Sequence, residues 1–227
     1  MLTTTFDYAY DFDPSAAPRP RGEQPELVWE LATMFPAQGA WSVRDYLELT
    51  DATNRKIEYT NGRLEFLAMP TVTHQRLVSW LFLLLNGYVA KAGLGEVLPG
   101  GIRVYFDDAD EEKFRIPDVL FLSKGSEAEW GGERYWRGVD LAIEVVSDDP
   151  KSLSRDYEDK VRVYGAGRVP EYWIVDPQEQ KITVLTLPEG ADKYAEHGVF
   201  RPGQTATSVL LGGFAVDVKA CFDAAKK

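Results

Sequence analysis

The stretch of sequence that decides the fold is Val139-Asp140-Leu141-Ala142-Ile143-Glu144-Val145-Val146-Ser147. A near-continuous apolar run is typical of a β-strand that is covered on both faces of its sheet. Glu144 interrupts this run at its middle. Its carboxylate is costly to bury unless a cation or hydrogen-bond donors compensate for it, whereas a position at the edge of the sheet would let it reach water. The stretch predicts a strand at 139–147 and leaves both environments of Glu144 open.

A second apolar strand with an acid at its start lies upstream, Ile116-Pro117-Asp118-Val119-Leu120-Phe121-Leu122. Proline is tolerated at the first residue of a strand, where its missing N–H costs no ladder hydrogen bond. Asp118 taken alone is explained by a turn before the strand. If this strand lies beside the one that holds Glu144, two carboxylates at matching ends form a site of hard oxygen ligands for a divalent cation.

A helix is predicted downstream, over residues 153–166. One stripe of this helix carries, at helical spacing, Leu153, Tyr157, Lys160, Val161 and Tyr164. A lysine on an inward-facing stripe needs an anionic partner. Alternatively, Lys160 pairs with Asp156 at i,i+4 on the surface, which contributes only about 0.3–0.5 kcal/mol. Spacing alone leaves both interpretations open.

The rest of the chain predicts one α/β domain with a mixed central sheet and helices on both faces. An Asn61-Gly62 turn predicts a hairpin that places Glu58 opposite Glu65. The other predicted elements are helices at 42–51 and 73–92, strands at 95–106, 117–123, 171–176 and 180–187, weaker strands near 193–200, 205–211 and 213–217, and loops at 107–112 and 124–138. Residues 1–40, with five prolines, form an N-terminal extension that is expected to pack on the domain at 41–227 or to clasp a second subunit in a homodimer.

Composition excludes several classes of protein. A chain of 227 residues with 44% hydrophobic residues is not wholly disordered. One cysteine, Cys221, excludes an internal disulfide and any multi-cysteine metal site, and two histidines, His74 and His197, exclude a three-histidine centre. The longest apolar run, 80–85, is far short of the roughly 20 residues that a membrane span needs. Acids stand near the N-terminus where a targeting peptide needs cations, so we expect a cytoplasmic protein with no membrane partner.

Net charge argues against a general nucleic-acid binder. Lys and Arg number 25 and Asp and Glu number 36, so the net charge is 25 − 36 = −11. Such a surface repels polyanions at long range. A basic cluster lies on or beside the helix at 153–166, consisting of Lys151, Arg155, Lys160, Arg162 and Arg168. Acids dilute this cluster, and such a mixture is usually a solvated helix face.

Six blocks of the chain together form a recognisable pattern. They are Glu58-Tyr59-Thr60-Asn61-Gly62-Arg63-Leu64, His74-Gln75-Arg76, Pro117-Asp118-Val119, Ile143-Glu144-Val145-Val146-Ser147, the set Asp156, Lys160 and Tyr164, and Val169-Pro170-Glu171-Tyr172-Trp173-Ile174-Val175-Asp176-Pro177. In this order they resemble the Uma-two family of putative restriction endonucleases, a branch of the PD-(D/E)XK nuclease superfamily. The resemblance runs from about residue 42 to 187, more weakly to the end, and leaves out residues 1–40.

The resemblance implies a restriction-endonuclease-like mixed sheet flanked by helices and a phosphodiesterase site that uses Mg²⁺, with Mn²⁺ as a substitute. Asp118 matches the Asp of the superfamily's Pro-Asp motif, and Glu144 matches the acid of the next strand, which makes both of them metal ligands. Val146 stands where the superfamily usually has a lysine. The branch places its lysine on the following helix, where Lys160 fits.

Two further residues are candidates for the site. Glu58 is a candidate third catalytic acid, mostly because of the resemblance. In addition, two acids opposite each other in a hairpin are unfavourable unless both are exposed or a cation lies near. His74 begins the long helix and is a possible neighbour of the site, although a lone histidine there is more often a structural hydrogen-bonding residue. The aromatic residues Tyr164, Tyr172 and Trp173 are expected in the core, and Asp176 is expected to form a turn.

These observations predict a metal-dependent endonuclease that hydrolyses phosphodiester bonds, with DNA as its substrate. A metal ion polarises the phosphoryl oxygen and generates hydroxide, and a lysine orients the water and offsets the charge of the transition state. The alternative is a catalytically silent nuclease-fold protein that acts as a binding or regulatory module. The set Asp118, Glu144 and Lys160 favours the nuclease, and the net charge favours the alternative.

Overall fold

The computed structural model describes residues 35–108, 111–126, 128–130, 132–147 and 153–226. The chain divides into two units, and the description that follows concerns the second, Ala37–Lys227. The predicted N-terminal extension therefore lies almost entirely outside the described residues, and its docking stays a prediction.

Helices separate runs of strands along the described chain. The helices are α1 (Val43–Asp51), α2 (Val72–Ala92), a π-helix (Arg155–Asp159) that leads into α3 (Lys160–Ala166), and α4 (Val218–Ala224). The strands are β1 (Ile57–Thr60), β2 (Arg63–Phe66), β3 (Gly95–Pro99), β4 (Val104–Asp108), β5 (Glu111–Arg115), β6 (Val119–Ser123), β7 (Glu129–Trp130), β8 (Trp136–Arg137), β9 (Leu141–Val145), β10 (Glu171–Asp176), β11 (Lys181–Thr186), β12 (Ala195–Phe200), β13 (Thr205–Thr207) and β14 (Ala215–Asp217).

The main sheet has the order β12-β11-β10-β9-β6-β3 and is mixed. Strands β9 and β10 run parallel, and the other neighbouring pairs run antiparallel. Leu77, Leu81 and Leu85 of α2 belong to the core on one face of the sheet. Val163 and Tyr164 of α3 belong to the core on the other face. The predicted mixed sheet with helices on both faces is confirmed.

The structure also contains a second sheet that the sequence did not predict. Its order is β2-β1-β5-β4-β8-β7, and it shares a separate core with α1. The predicted strand at 95–106 is in fact β3 of the main sheet followed by β4 of the second sheet. Gly100 and Gly101 lie between them, and Gly101 has a φ of 114°, a conformation that favours glycine. The chain changes sheets at this turn.

The acidic stretch at 107–112 is also not a simple loop, because β4 and β5 extend into it and pair with each other. Acidic residues can stay in strands at the end of a hairpin if they find cations or water. Glu111 does so, since its carboxylate contacts both Lys113 and Arg162. Similarly, the predicted loop at 124–138 contains the short strands β7 and β8.

The predicted Asn61-Gly62 turn is confirmed, and local residues also set the ends of two helices. Ser42 forms a capping box with Asp45 at the start of α1. Asn61 and Gly62 both have positive φ values, 43° and 76°, as a two-residue hairpin turn requires. Gly93 ends α2 in the left-handed conformation. No helix in the described part of the chain combines the length and the apolar composition that crossing a membrane requires.

The predicted helix at 153–166 differs from the structure in its first half. Its start is the π-helix Arg155–Asp159, whose wider turns alter the spacing of the inward stripe. Leu153 is 47% exposed and so does not belong to the buried stripe, whereas Lys160 and Tyr164 do. The π-helix ends where the α-helix begins, at Lys160.

Glu171 anchors the C-terminal part of the chain to the main sheet. Its carboxylate is fully buried and accepts hydrogen bonds from Trp173 Nε1 at 2.7 Å and Ser208 Oγ at 2.6 Å. The backbone N–H groups of Val209 and Leu210 donate to its other oxygen at 2.7 and 2.8 Å. A carboxylate with four donors is satisfied without a cation.

We expect Glu171→Gln to lower the free energy of unfolding by about 2–3 kcal/mol, since a hydrogen bond to a charged acceptor is worth about 1.5–3 kcal/mol. The amide NH₂ would face N–H donors and leave at least one of them unpaired. Urea denaturation measures the effect, with the exposed Glu196→Gln as the matched control. Equal stability of the two variants would contradict the anchoring role.

Candidate active site

The residues predicted for the site come together around one small, charged cavity. Asp118, Glu144, Lys160 and His74 line it, and its volume is about 30 Å³. Glu58 lies directly behind Lys160, at 3.9 Å from its ammonium. A volume of about 30 Å³ is the volume that one water molecule occupies in liquid water. The cavity can therefore hold an ion or a water molecule, and a nucleotide would have to lie over its mouth.

The register of the main sheet brings Asp118 and Glu144 together. Val119 of β6 pairs with Ile143 of β9 in antiparallel register, so Asp118, one residue earlier, lies opposite Glu144. The backbone N–H of Val145 donates to Asp118 Oδ2 at 3.0 Å. The expectation that the two acids stand at matching ends of adjacent strands is confirmed.

Asp118 is held in its ionised form by its neighbours. His74 Nε2 lies 3.1 Å from Oδ2, and Lys56 Nζ lies 3.7 Å from Oδ1. Burial by itself raises the pKa of Asp118, but the hydrogen bond and charge of His74, with the charges of Lys160 and Lys56, hold this pKa below its ordinary value. Asp118 is therefore a carboxylate at neutral pH.

Glu144 occupies a different electrostatic environment. It is 2% exposed in the interior of the main sheet, between β6 and β10, so the edge interpretation is wrong. Burial raises the pKa of Glu144 to about 8; the charge of Lys160 opposes this rise, and the charges of Asp118, Asp156 and Glu58 add to it. Two adjacent acids whose pKa values are pushed apart are typical of functional sites.

Lys160 is the cation at the centre of the acid cluster. Its Nζ lies 2.8 Å from Glu144 Oε2 and 3.1 Å from Asp156 Oδ1. Both sequence interpretations of Lys160 hold in part, because it faces inward and also pairs with Asp156, but the pair is buried and not on the surface. Burial lowers the pKa of Lys160, and the charges of Asp156, Glu144 and Glu58 outweigh this and raise it.

Glu58 is 1% exposed and lies behind Lys160 instead of lining the cavity. Its Oε1 accepts a hydrogen bond from Ile116 N at 3.1 Å, and its Oε2 lies 3.6 Å from Arg115 Nε. The predicted register opposite Glu65 is confirmed. Cations relieve the repulsion that this register implies, since Glu65 pairs with Arg155 at 3.1 Å.

His74 stands in the first turn of α2, where Thr71 caps the helix by accepting a hydrogen bond from His74 N. Its Nε2 faces Asp118, as described above. Its Nδ1 is buried without a hydrogen-bond partner among the described residues. His74 is thus a direct neighbour of the site, and its role in a reaction stays a prediction.

Sequence reasoning missed several contacts of the site. Lys56 and Arg155 line the cavity, and neither carries a sequence signal for this position. Tyr164 was expected only in the core, yet its hydroxyl donates to Glu144 Oε1 at 2.5 Å. Tyr164 follows Lys160 by four residues, which places both side chains on one face of the helix. This spacing was the available sequence signal. Asp176 does form a turn, accepting hydrogen bonds from the next residues.

The basic cluster predicted from the sequence does not form a free patch among the described residues. Arg155 and Lys160 are turned into the site. Arg162 pairs with Glu111 and Asp159, and Arg168 donates to the backbone of Ala191. Lys151 lies outside the described residues. Most cations on this helix are therefore paired with acids of the same protein.

The carboxylates of the site fit a divalent cation by their chemistry. In the part of the chain that the structure describes, no three His, Cys, Asp or Glu side chains already converge as metal ligands. Asp118 Oδ1 and the Glu144 carboxylate nevertheless offer hard oxygens at one cavity. Asp156 Oδ1 is buried in the same cluster, with Lys160 Nζ at 3.1 Å. Glu144 and Asp156 share this one ammonium, so a divalent cation at the cavity would offset negative charge that Lys160 alone does not balance.

A larger cavity elsewhere is a weaker candidate. A groove of about 890 Å³ lies between α2 and α4 and is lined mostly by apolar residues, with Asp223 as its one acidic lining residue. It contains no second acid, no buried lysine and no group whose chemistry suggests catalysis. The small charged cavity is therefore the candidate active site.

Comparisons with known proteins support a nuclease-like fold. The family model described as "Uma2: Putative restriction endonuclease" matches residues 43–219. A solved structure, a putative nuclease belonging to DUF820 from Anabaena variabilis ATCC 29413, resembles the chain with a TM-score of 0.59 and 17% identity, over 79% of this chain and 98% of that chain. No curated protein matches the chain. The predicted family resemblance and nuclease-like fold class are confirmed.

Proposed function

The chain belongs to the Uma2 family of putative restriction endonucleases, and on that premise we propose that it is a metal-dependent endonuclease that hydrolyses phosphodiester bonds in DNA. Family membership supports a nuclease function in general. The metal and the DNA substrate are the parts of the proposal that rest on the site.

One observation carries the proposal: Asp118, Glu144 and Lys160 meet at one cavity although they come from three separate elements. Their side chains are at most 10% exposed. Burying acids and a lysine is expensive unless each is paired, and such clusters are rarely the most stable way to fill a core. A buried cluster of this kind that opens to a cavity is typical of a catalytic site.

In the proposed mechanism, Asp118 and Glu144 would hold a divalent cation. When bound, such a cation would polarise the phosphoryl oxygen and lower the pKa of the attacking water. His74 and the Val145 N–H orient the Asp118 carboxylate. Lys160, kept protonated by its acidic neighbours, donates hydrogen bonds to the attacking water or to the phosphoryl oxygens and offsets the negative charge that develops.

Lys56 extends the positive charge to the rim of the cavity. It is 29% exposed and can face a ligand at the mouth, whereas Arg155 is 14% exposed and pairs with Glu65 and Asp156. The net charge of −11 opposes the long-range approach of DNA. Local cations at the mouth, together with a bound metal ion, are what a polyanionic substrate would need to bind there.

A plasmid-nicking assay on the full chain tests the proposal. We expect supercoiled DNA to be nicked in the presence of Mg²⁺ or Mn²⁺ and to stay intact with EDTA. A linear RNA and a single-stranded DNA of the same length test the choice of substrate. Intact plasmid at all metal concentrations, with protein that is folded by circular dichroism, would count against the endonuclease.

The second candidate is a catalytically silent nuclease-fold protein that acts as a binding or regulatory module. The observation that favours it is the pairing of Arg155 and Arg162 with acids of the same protein, which leaves little free basic surface on that helix. Metal-dependent stabilisation without cleavage of any nucleic acid would favour this candidate. The homodimer and the cytoplasmic location stay predictions from the sequence.

A further inference from the structure

One turn of α3 holds both oxygens of the Glu144 carboxylate. Lys160 Nζ lies 2.8 Å from Oε2, and the Tyr164 hydroxyl donates to Oε1 at 2.5 Å. Residues four apart on an α-helix lie on the same face, so the two donors point in the same direction. The orientation of the carboxylate is therefore set by this helix and not by β9, the strand that carries it.

The packing of Tyr164 leaves its hydroxyl little freedom. The residue is fully buried. Its ring lies 5.3 Å from the ring of Phe106 and 4.9 Å, edge to face, from the ring of Tyr172. At the end of the same helix, a Cβ added to Gly167 would lie 2.3 Å from the Phe106 ring, so the helix already packs directly against that ring. The Tyr164 ring is therefore held by packing on several sides.

We propose that Tyr164 is a positioning residue that orients Glu144 for a divalent cation at the cavity. This inference rests on the proposed function, since it needs Glu144 to be a metal ligand. Tyr164 does not line the cavity and acts only through Glu144. Hydrogen-bonded partners behind a ligating side chain fix its orientation, and their loss typically costs about 10–100-fold in metal affinity.

Removing the hydroxyl alone separates this role from packing. Tyr164→Phe keeps the ring and its aromatic neighbours. Among the described residues, Lys160 is then the one side-chain donor left to the Glu144 carboxylate. The matched control is Tyr46→Phe. Tyr46 is also fully buried, and its hydroxyl donates at 2.9 Å to the backbone carbonyl of Ile57, not to an acid.

The experiment titrates Mn²⁺ into the full chain and follows free Mn²⁺ by its electron paramagnetic resonance signal. We expect the half-saturating Mn²⁺ concentration of Tyr164→Phe to rise by about 10–100-fold over wild type. The control Tyr46→Phe should keep the wild-type value even if its thermal midpoint falls.

The outcomes distinguish this inference from the proposed function. If wild type binds Mn²⁺ and Tyr164→Phe binds it with the same half-saturation, the positioning role is wrong and the proposed function stands. If wild type binds no Mn²⁺ at a millimolar concentration, the metal site itself is wrong, and the inference fails with it.

Discussion

Replacing Lys160 with Met is expected to abolish cleavage and also to lower the free energy of unfolding by about 3–5 kcal/mol at neutral pH, as breaking a buried ion pair does. The fold is affected because Lys160 is 2% exposed and compensates Glu144, Asp156 and Glu58 at once. Its removal leaves buried carboxylates without their cation.

The loss of stability in Lys160→Met should grow as the pH rises. Burial raises the pKa of Glu144 to about 8 and raises that of Asp156, even with Lys160 opposing the shift. Without Lys160 both pKa values rise further, whereas in the unfolded chain they return to about 4. Above about pH 4 the unfolded state therefore binds fewer protons than the folded state. The free energy of unfolding of the variant falls as the pH rises through this range. Urea denaturation at pH 4.5 and pH 8 measures this difference.

Lys219→Met is the matched control. Lys219 pairs with Asp223 at i,i+4, the same spacing as Asp156 and Lys160, but on the surface. An exposed pair of this kind is worth about 0.3–0.5 kcal/mol, so its loss should be small and nearly independent of pH between these two values. A Lys160→Met variant that behaves like Lys219→Met would show that Lys160 is not the buried counter-ion of the site.

Asp118→Asn and Glu144→Gln are each expected to cancel metal binding and cleavage. In wild type, Mn²⁺ should raise the thermal midpoint, with about 2.7 kcal/mol of stabilisation at 100 times the dissociation constant. Neither variant should show this rise. Nicking should fall by more than about 100-fold in both, since even the partners behind a metal ligand are worth about 10–100-fold.

The two variants should differ without metal, because the two acids sit in opposite environments. The pKa of Asp118 is held low, so its ionised form stabilises the fold above the unfolded pKa, and Asp118→Asn removes this stabilisation. Burial raises the pKa of Glu144, so folding of the apo protein disfavours its ionised form, and Gln removes this cost. Glu144→Gln should therefore leave apo stability unchanged or slightly higher.

Thermal melts with and without Mn²⁺ distinguish these expectations, and the exposed Glu189→Gln serves as the control. The control should keep both the apo midpoint and the metal-dependent rise. If wild type shows no rise, or if either variant keeps it, the paired-carboxylate site is wrong and the catalytically silent module becomes the leading function.

Much of the fold was predictable because its signals are local. Asn61-Gly62 specifies a hairpin turn through the backbone angles that these two residues tolerate. Ser42 and Gly93 specify helix ends through a capping hydrogen bond and a left-handed residue. The division of strands between two sheets was not predictable, because it depends on which distant strand pairs with β4, and Gly100 and Gly101 signal only that the chain turns.

The sequence alone indicated which residues are candidates for the chemistry. An acid within an apolar strand and a Pro-Asp before another strand marked Glu144 and Asp118, since burial makes an acid conspicuous in apolar surroundings. The tertiary structure decided how these residues are arranged. Antiparallel register places Asp118 opposite Glu144, and the packing of α3 on the sheet brings Lys160 and Tyr164 to opposite oxygens of one carboxylate. These distances join elements far apart in the chain, and long-range packing, not local propensity, sets them.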